Sequence, residues 1–222
     1  HASHCTCGMM LPERYRYIVV EGPIGVGKTS LTKKLAATLQ ADALLEGADD
    51  NPFLPKFYQD MERYALATQL FFLFQRVEQV RGMKQGDLFG TATVADFILD
   101  KDPLFARLTL SDQEFHLYQQ IYGHLRPQAA TPDLVIYLQA PVEILFERVR
   151  RRGLSYERPI GTEYLERLVE SYSRYFYQYE ASPLLIVNSE NLNFVDDEQD
   201  YQLLLSRIQS MRGGREFFSR GE

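Results

Sequence analysis

Tryptophan is absent from this chain of 222 residues, and cysteine is scarce: Cys5 and Cys7 both lie within the first few positions. No disulfide framework can therefore staple the fold, and an intracellular, cytoplasmic setting is expected. Positive charge is also in short supply, since 24 Lys and Arg face 30 Asp and Glu for a formal net charge of -6. That balance argues against nucleic acid as the main partner and leaves room for local basic patches only. Long hydrophobic runs are missing too. Leu70 to Phe74 is far shorter than the roughly 20 residues a membrane-crossing helix needs, and no membrane partner is expected. Nothing reads as a signal peptide, an internal repeat or a low-complexity linker.

With 45% hydrophobic residues, the chain suits one α/β domain with a substantial core, taken as residues 11–222, and two domains are not expected. The opening His1-Ala-Ser-His-Cys-Thr-Cys-Gly8 has the residue types of a metal site. The reading adopted for residues 1–10 is a tag remnant or disordered tail outside the fold.

The rest is organised around Tyr15 to Gln40, YRYIVVEGPIGVGKTSLTKKLAATLQ. Ile18, Val19 and Val20 form a β-branched run suited to a buried parallel strand, and a helical pattern through Leu31, Leu35 and Leu39 follows. Between them, Gly22 to Thr29 is a complete GxxxxGK[ST]. Glycines let successive backbone N–H groups curl round a phosphate, and the helix start offers its positive end. Lys28 reaches the outer phosphates, and the Thr29 hydroxyl suits Mg²⁺. The expected ligand is a nucleoside triphosphate, ATP, with Mg²⁺, held by Gly22, Gly25, Val26, Gly27, Lys28, Thr29 and Ser30. A phosphate loop does not by itself name the acceptor.

Four further β-like runs alternate with helical patterns. Ala43 to Glu46 ends in an acid and Thr91 to Ala95 is followed by another, Asp96; Asp133 to Gln139 and Leu184 to Asn188 complete the set. Five strands alternating with helices specify a three-layer α/β fold with a parallel sheet covered on both faces. Ligands sit in the loops after strand C-termini of such sheets, so Glu46 is placed to face the phosphate loop. A solvated loop carboxylate fits its position equally well.

Leu54 to about Lys84 reads as helical, rich in aromatic groups, with a break near Met61. Gln69 and Arg76 lie two turns apart and project from one side, as surface residues or as the lining of a pocket. A short helix is expected near Leu104 to Leu108, and Ser111-Asp112-Gln113-Glu114 is a capping box opening a helix to about Arg126. Pro141 falls in the first turn of a helix reaching Arg152. The arginines at its end, Arg148, Arg150, Arg151 and Arg152, suit either the helix dipole or a clamp on transferring phosphoryl groups. Gly153 to Gly161 is a lid candidate. Helices from about Glu163 to Glu180 and from Val195 to Met211 close the chain.

Together these positions resemble the deoxynucleoside kinase family, P-loop enzymes that phosphorylate the 5′-hydroxyl of deoxyribonucleosides. The likeness spans Tyr15 to roughly Ile208. Asn51-Pro52-Phe53-Leu54 followed by Phe57-Tyr58 is similar to the bacterial deoxyadenosine and deoxyguanosine kinases. The resemblance implies that Glu46 accepts the 5′-hydroxyl proton, Tyr58 holds the 3′-hydroxyl, and Gln69 and Arg76 read the base. Asp96 matches the family acid after the third strand and joins Thr29 as a metal ligand; Asp102 matches the base-contacting aspartate. Phe97 and Ile98 replace the family's Arg-Ser, and Lys101 or a lid arginine is expected to stand in for the missing arginine. In the lid, Arg148, Arg152, Gly153, Glu157 and Glu163-Tyr164-Leu165 keep the family spacing, with Glu157 near the 3′-hydroxyl. Lys28, Glu46, Asp96, Arg148 and Arg152 then form the catalytic set. The implied protein is a homodimer acting on a purine deoxynucleoside, with deoxycytidine next. Two other readings remain open: a nucleoside monophosphate kinase of the thymidylate type, and a non-catalytic assembly subunit, for which Phe97 is the motive.

Overall fold

A computed structural model describes residues 15–86, 91–126 and 130–220. Its spine is β1 (Tyr17–Glu21), whose alternate side chains enter two different cores. Ile18 and Val20 join the larger apolar cluster, and Val19 joins the smaller one. The same alternation runs along β4 (Leu134–Gln139) and β5 (Leu184–Asn188): Leu134, Ile136 and Leu138 face one way, Val135 and Tyr137 the other. Strands buried on both faces need this continuous apolar run, which is why the sequence shows no polar alternation there.

β2 (Asp42–Leu44) and β3 (Thr93–Ala95) are short. A sixth strand, β6 (Arg215–Phe218), lies at the far edge. The strand order is β2-β3-β1-β4-β5-β6, parallel throughout. The sequence pattern specifies five strands, and β6 escapes it for a physical reason. Arg-Glu-Phe-Phe at an edge is only half buried, follows Gly213-Gly214, and carries no apolar run.

The connecting helices are α1 (Lys28–Leu39), α2 (Leu54–Gln59), α3 (Met61–Gly86), α4 (Asp102–Thr109), α5 (Asp112–Leu125), α6 (Val142–Arg152), α7 (Thr162–Tyr177) and α8 (Glu198–Ser210). Most pack on the larger core, whereas Tyr172 and Phe176 of α7 cover the smaller. Tyr137 and Phe176 stack there with centroids 4.4 Å apart. The capping box at Ser111 and Glu114 forms as expected. Pro141 lies one residue outside its helix as the N-cap. The break in the aromatic helix falls at Asp60, and α8 begins where Asp197 accepts the amides of Gln199 and Asp200. Among the described residues no helix is long and apolar enough to cross a membrane. The tail expected over residues 1–10 lies outside the described residues.

Candidate active site

The phosphate loop leaves β1 directly. Gly22 lies so close to its neighbours that an added Cβ would stand 2.7 Å from the Leu138 carbonyl oxygen, well inside van der Waals contact. Gly25 has φ 85° and would bring a Cβ within 3.0 Å of the Leu145 carbonyl oxygen. Gly27, left-handed at φ 96°, is the N-cap of α1, so Lys28, Thr29 and Ser30 form the first helical turn and their amides have no partner within the helix.

Four expected residues converge on this loop. The Lys28 ammonium donates to Glu46 Oε2 at 3.0 Å. The Thr29 hydroxyl donates to Asp96 Oδ2 at 3.0 Å, and Asp96 Oδ1 accepts the backbone amide of Glu46 at 2.7 Å. β2 stops at Leu44, so Glu46 lies in the loop beyond it, tied to the end of β3 by Asp96. Burial pushes the Asp96 carboxyl above the usual aspartate range, opposed by the Lys28 charge and the Thr29 hydrogen bond.

From Glu46 the polar chain continues inward. One Arg76 guanidinium bridges Glu46 and Asp102, and Asp102 also accepts the Tyr118 hydroxyl. Asp102 is fully buried and Arg76 nearly so. A carboxylate in such a place is tolerated only when paired. The Arg76 guanidinium also lies 4.9 Å from the centre of the Phe72 ring. Gln69 is 7% exposed on the same helix, and neither its Oε1 nor Arg76 Nε has a hydrogen-bond partner among the described residues. Gln69 and Arg76 are therefore buried rather than surface residues.

The lid folds back onto α2 and the loop before it. Gly153, at φ 70°, ends α6, and Arg152 then grips Glu157 through two hydrogen bonds of 3.0 and 2.6 Å. Tyr156 donates to Asp49 at 2.6 Å, and its ring stacks on Tyr58 with centroids 6.4 Å apart. Tyr58 is buried, and burial holds its phenol well above the usual value. Arg148 points elsewhere: it donates to the Ser189 carbonyl at 3.1 Å and the Val26 carbonyl at 3.5 Å. There it lines a cleft of about 820 Å³ between the phosphate loop and the segment from Ser189 to Asp197.

Two groups of site residues carry no motif the sequence reading used. One is the Ser189 to Asp197 loop, whose run of Asn and Asp after β5 was its available signal. The other is Glu21, the last residue of β1, which meets Lys101 and, through it, the Tyr172 hydroxyl. Phe97, in the place of the family arginine, is 2% exposed in the larger core. Arg76 joins Glu46 to Asp102, and Lys101 pairs with Glu21.

As a mixed set of oxygen donors, Thr29 and Asp96 fit a hard divalent cation, which ordinarily takes one or two protein ligands beside substrate phosphates. Among the described residues no cluster of three or more His, Cys, Asp or Glu stands ready to cage a metal by itself.

The sequence profile of the deoxynucleoside kinases matches residues 18–211. A deoxyguanosine kinase from Bacillus subtilis (strain 168) is 32% identical over 200 residues, covering 88% of this chain and 97% of that protein. A deoxyadenosine kinase from Lactobacillus acidophilus is 31% identical over 205 residues, covering 86% and 94%. The fold is similar to that of a deoxyadenosine kinase from M. mycoides solved with bound dCTP, with a TM-score of 0.74, 22% identity and coverage of 88% of this chain and 100% of that one. With a phosphate loop tied through Glu46 to a buried guanidinium, a profile match over residues 18–211 and relatives above 30% identical along nearly their whole length, the chain belongs to the deoxynucleoside kinase family.

Proposed function

We propose that the protein transfers the γ-phosphoryl group of ATP to the 5′-hydroxyl of a purine deoxyribonucleoside, deoxyadenosine or deoxyguanosine, giving the 5′-monophosphate in nucleotide salvage. One observation carries this reading. Glu46 stands between the phosphate-loop lysine and the buried Arg76–Asp102 pair, so a single carboxylate borders both the donor phosphate and the acceptor pocket. Glu46 orients the 5′-hydroxyl and takes its proton; in a loose phosphoryl transfer, alignment matters more than the base strength of the carboxylate. Lys28 and the loop amides neutralise charge growing on the transferred group, and two arginines of α6 complete the catalytic set, Arg152 at the helix end beside Glu157 and Arg148 against the Val26 carbonyl of the phosphate loop.

Thr29 and Asp96 would hold Mg²⁺, which would offset the negative charge of the donor phosphates. The donor base occupies the cleft beside Ser189 to Asp197. Tyr58 on α2 and Glu157 in the lid hold the sugar 3′-hydroxyl. Gln69, Arg76 and Asp102 read the base: amide, guanidinium and carboxylate together satisfy donors and acceptors on a ring that carries an amino group, which thymine lacks. The unpartnered Gln69 Oε1 and Arg76 Nε support this role, because an unsatisfied buried polar group costs about 1–3 kcal/mol until a ligand meets it. The purine preference is supported by the relatives named deoxyguanosine and deoxyadenosine kinase. An acceptor already bearing phosphate fits poorly, since Glu46 and Asp102 repel it.

The same reading includes a cytoplasmic homodimer built on α3 and α5, where Phe74 and Leu117 are about half exposed on adjoining helices. The direct test offers deoxyadenosine and deoxyguanosine, each together with its 5′-monophosphate, with ATP and Mg²⁺ and follows products by chromatography. The nucleoside is expected to be consumed first and to give the monophosphate. Phosphorylation of the monophosphate alone, or of neither, contradicts the reading.

A further inference from the structure

Glu21 and Lys101 form an ion pair with side-chain exposures of 0% and 3%, where β1, the segment after β3 and α7 meet. Both oxygens of Glu21 are committed. Oε1 accepts the Ile98 amide at 2.9 Å, and Oε2 accepts the Gly22 amide at 3.1 Å together with the Lys101 ammonium. Lys101 also donates to the Tyr172 hydroxyl at 2.8 Å and lies 4.6 Å from the centre of the Phe105 ring. One carboxylate thus holds the first amide of the phosphate loop and an amide two residues beyond Asp96. Its cation immediately precedes Asp102 in the chain.

Such a pair is weak evidence for stability, because well-packed apolar residues of similar volume often serve as well or better. Its geometry suggests another use. The donor side hangs from Gly22, the acceptor side from the Asp96 to Asp102 segment, and Glu21 is hydrogen-bonded to both.

We infer that Lys101 is a positioning residue: through Glu21 it sets the spacing between the phosphate loop and the Asp96 to Asp102 segment, and so between phosphoryl donor and acceptor. This rests on the proposed kinase reaction. Lys101 does not touch substrate; it orders the frame that does. A spacing felt mainly in the transition state acts on kcat and leaves KM for each substrate near its starting value. Misplacement on the scale of 1 Å is worth up to about 100-fold in rate.

The test compares wild type, Lys101→Met and the doubly neutral Glu21→Gln/Lys101→Met, each assayed with ATP and deoxyadenosine well below its own Tm. Lys101→Met leaves a buried carboxylate unpaired and lowers Tm, whereas the double variant regains much of that loss. The inference expects kcat to remain about 10- to 100-fold below wild type in the double variant, with both KM values within roughly threefold. Wild-type kcat in the double variant overturns it, as does a parallel loss across kcat and both KM values, or failure of both variants to fold, which assigns the pair to folding alone. A wild-type protein that phosphorylates no deoxynucleoside would contradict the kinase reading instead, so the two failures are distinguishable.

Discussion

The two halves of the site are built from different materials. On the proposed donor side the contacts are backbone and solvent-facing: Gly25 and Gly27 in left-handed conformations, the first turn of α1, and an open cleft lined by Arg148 and the loop after β5. On the acceptor side they are side chains, deeply buried and already paired with one another, with Arg76 joining Glu46 to Asp102 and Gln69 beside them. Backbone amides recognise a phosphate whatever nucleotide bears it. Buried side chains reject a wrong base because it leaves them unpaired. Tolerance is therefore expected toward the donor and selectivity toward the acceptor.

The sharpest way to break that contrast is at the residue where the halves meet. Glu46→Gln keeps the shape and removes the proposed proton acceptor, and turnover should drop by roughly 10²- to 10⁴-fold, measured as kcat with saturating ATP and the preferred purine deoxynucleoside. Next comes the acceptor wall. Arg76→Met leaves Asp102 and Glu46 without their guanidinium, so kcat/KM for the deoxynucleoside should fall by about 10- to 100-fold, the equivalent of one or two buried polar groups left unpaired. KM for ATP should hardly change. On the donor side, Arg148→Met should show the reverse pattern, raising KM for ATP by up to about tenfold with little change for the nucleoside, since a partly exposed cation contributes less than a buried one.

The smallest effect concerns the buried lysine at the junction. Burial draws the Lys101 ammonium down to about 7, against the pull of Glu21 and with Lys28 and Arg76 adding repulsion. The unfolded chain keeps that proton to about pH 10.4. Between those values the unfolded state binds more protons, so this residue's contribution to stability rises with pH. Burial opposes ionisation of Glu21, but Lys101, Lys28 and the hydrogen bonds outweigh it and hold the carboxyl below its ordinary value, so it does not titrate in that window. The Tm difference between wild type and Glu21→Gln/Lys101→Met should grow from pH 6.5 to 9, by about 2–4 °C for each kcal/mol. A pH-independent difference would remove the buried ammonium from the account.

How much was legible in the sequence divides along similar lines. Lys28 and Thr29 stand in a complete phosphate-loop motif, Glu46 and Asp96 at the ends of β-like runs, and Gln69 and Arg76 two turns apart on one helix, whereas Asp102 is singled out only by the family resemblance. The structure brings Lys28, Thr29, Glu46, Asp96, Arg76 and Asp102 into one hydrogen-bonded network. What local pattern does not encode is partnership across the sheet. Glu21 looks like the last residue of a strand, and its cation lies 80 positions away. The bridge from Arg76 to Glu46 crosses 30 positions and two elements, although each residue alone was named. β6 was hidden for the opposite reason: as a short, half-exposed edge it needs little apolar sequence at all. The charged cluster at the end of α6 divides in a way that the dipole argument could not foresee. Arg152 closes onto Glu157, Arg148 lines the cleft beside the phosphate loop, and Arg151 merely pairs with Glu147 on the surface.

The central claim is that Glu46 serves a sugar hydroxyl beside a cradled triphosphate, under a wall that reads the base. Its most direct test measures phosphate transfer from ATP to each of the four deoxynucleosides with the wild-type protein and with Glu46→Gln. The account expects transfer to deoxyadenosine or deoxyguanosine in preference to thymidine, and loss of that transfer in the variant. Equal transfer to all four, or full activity in Glu46→Gln, would contradict it.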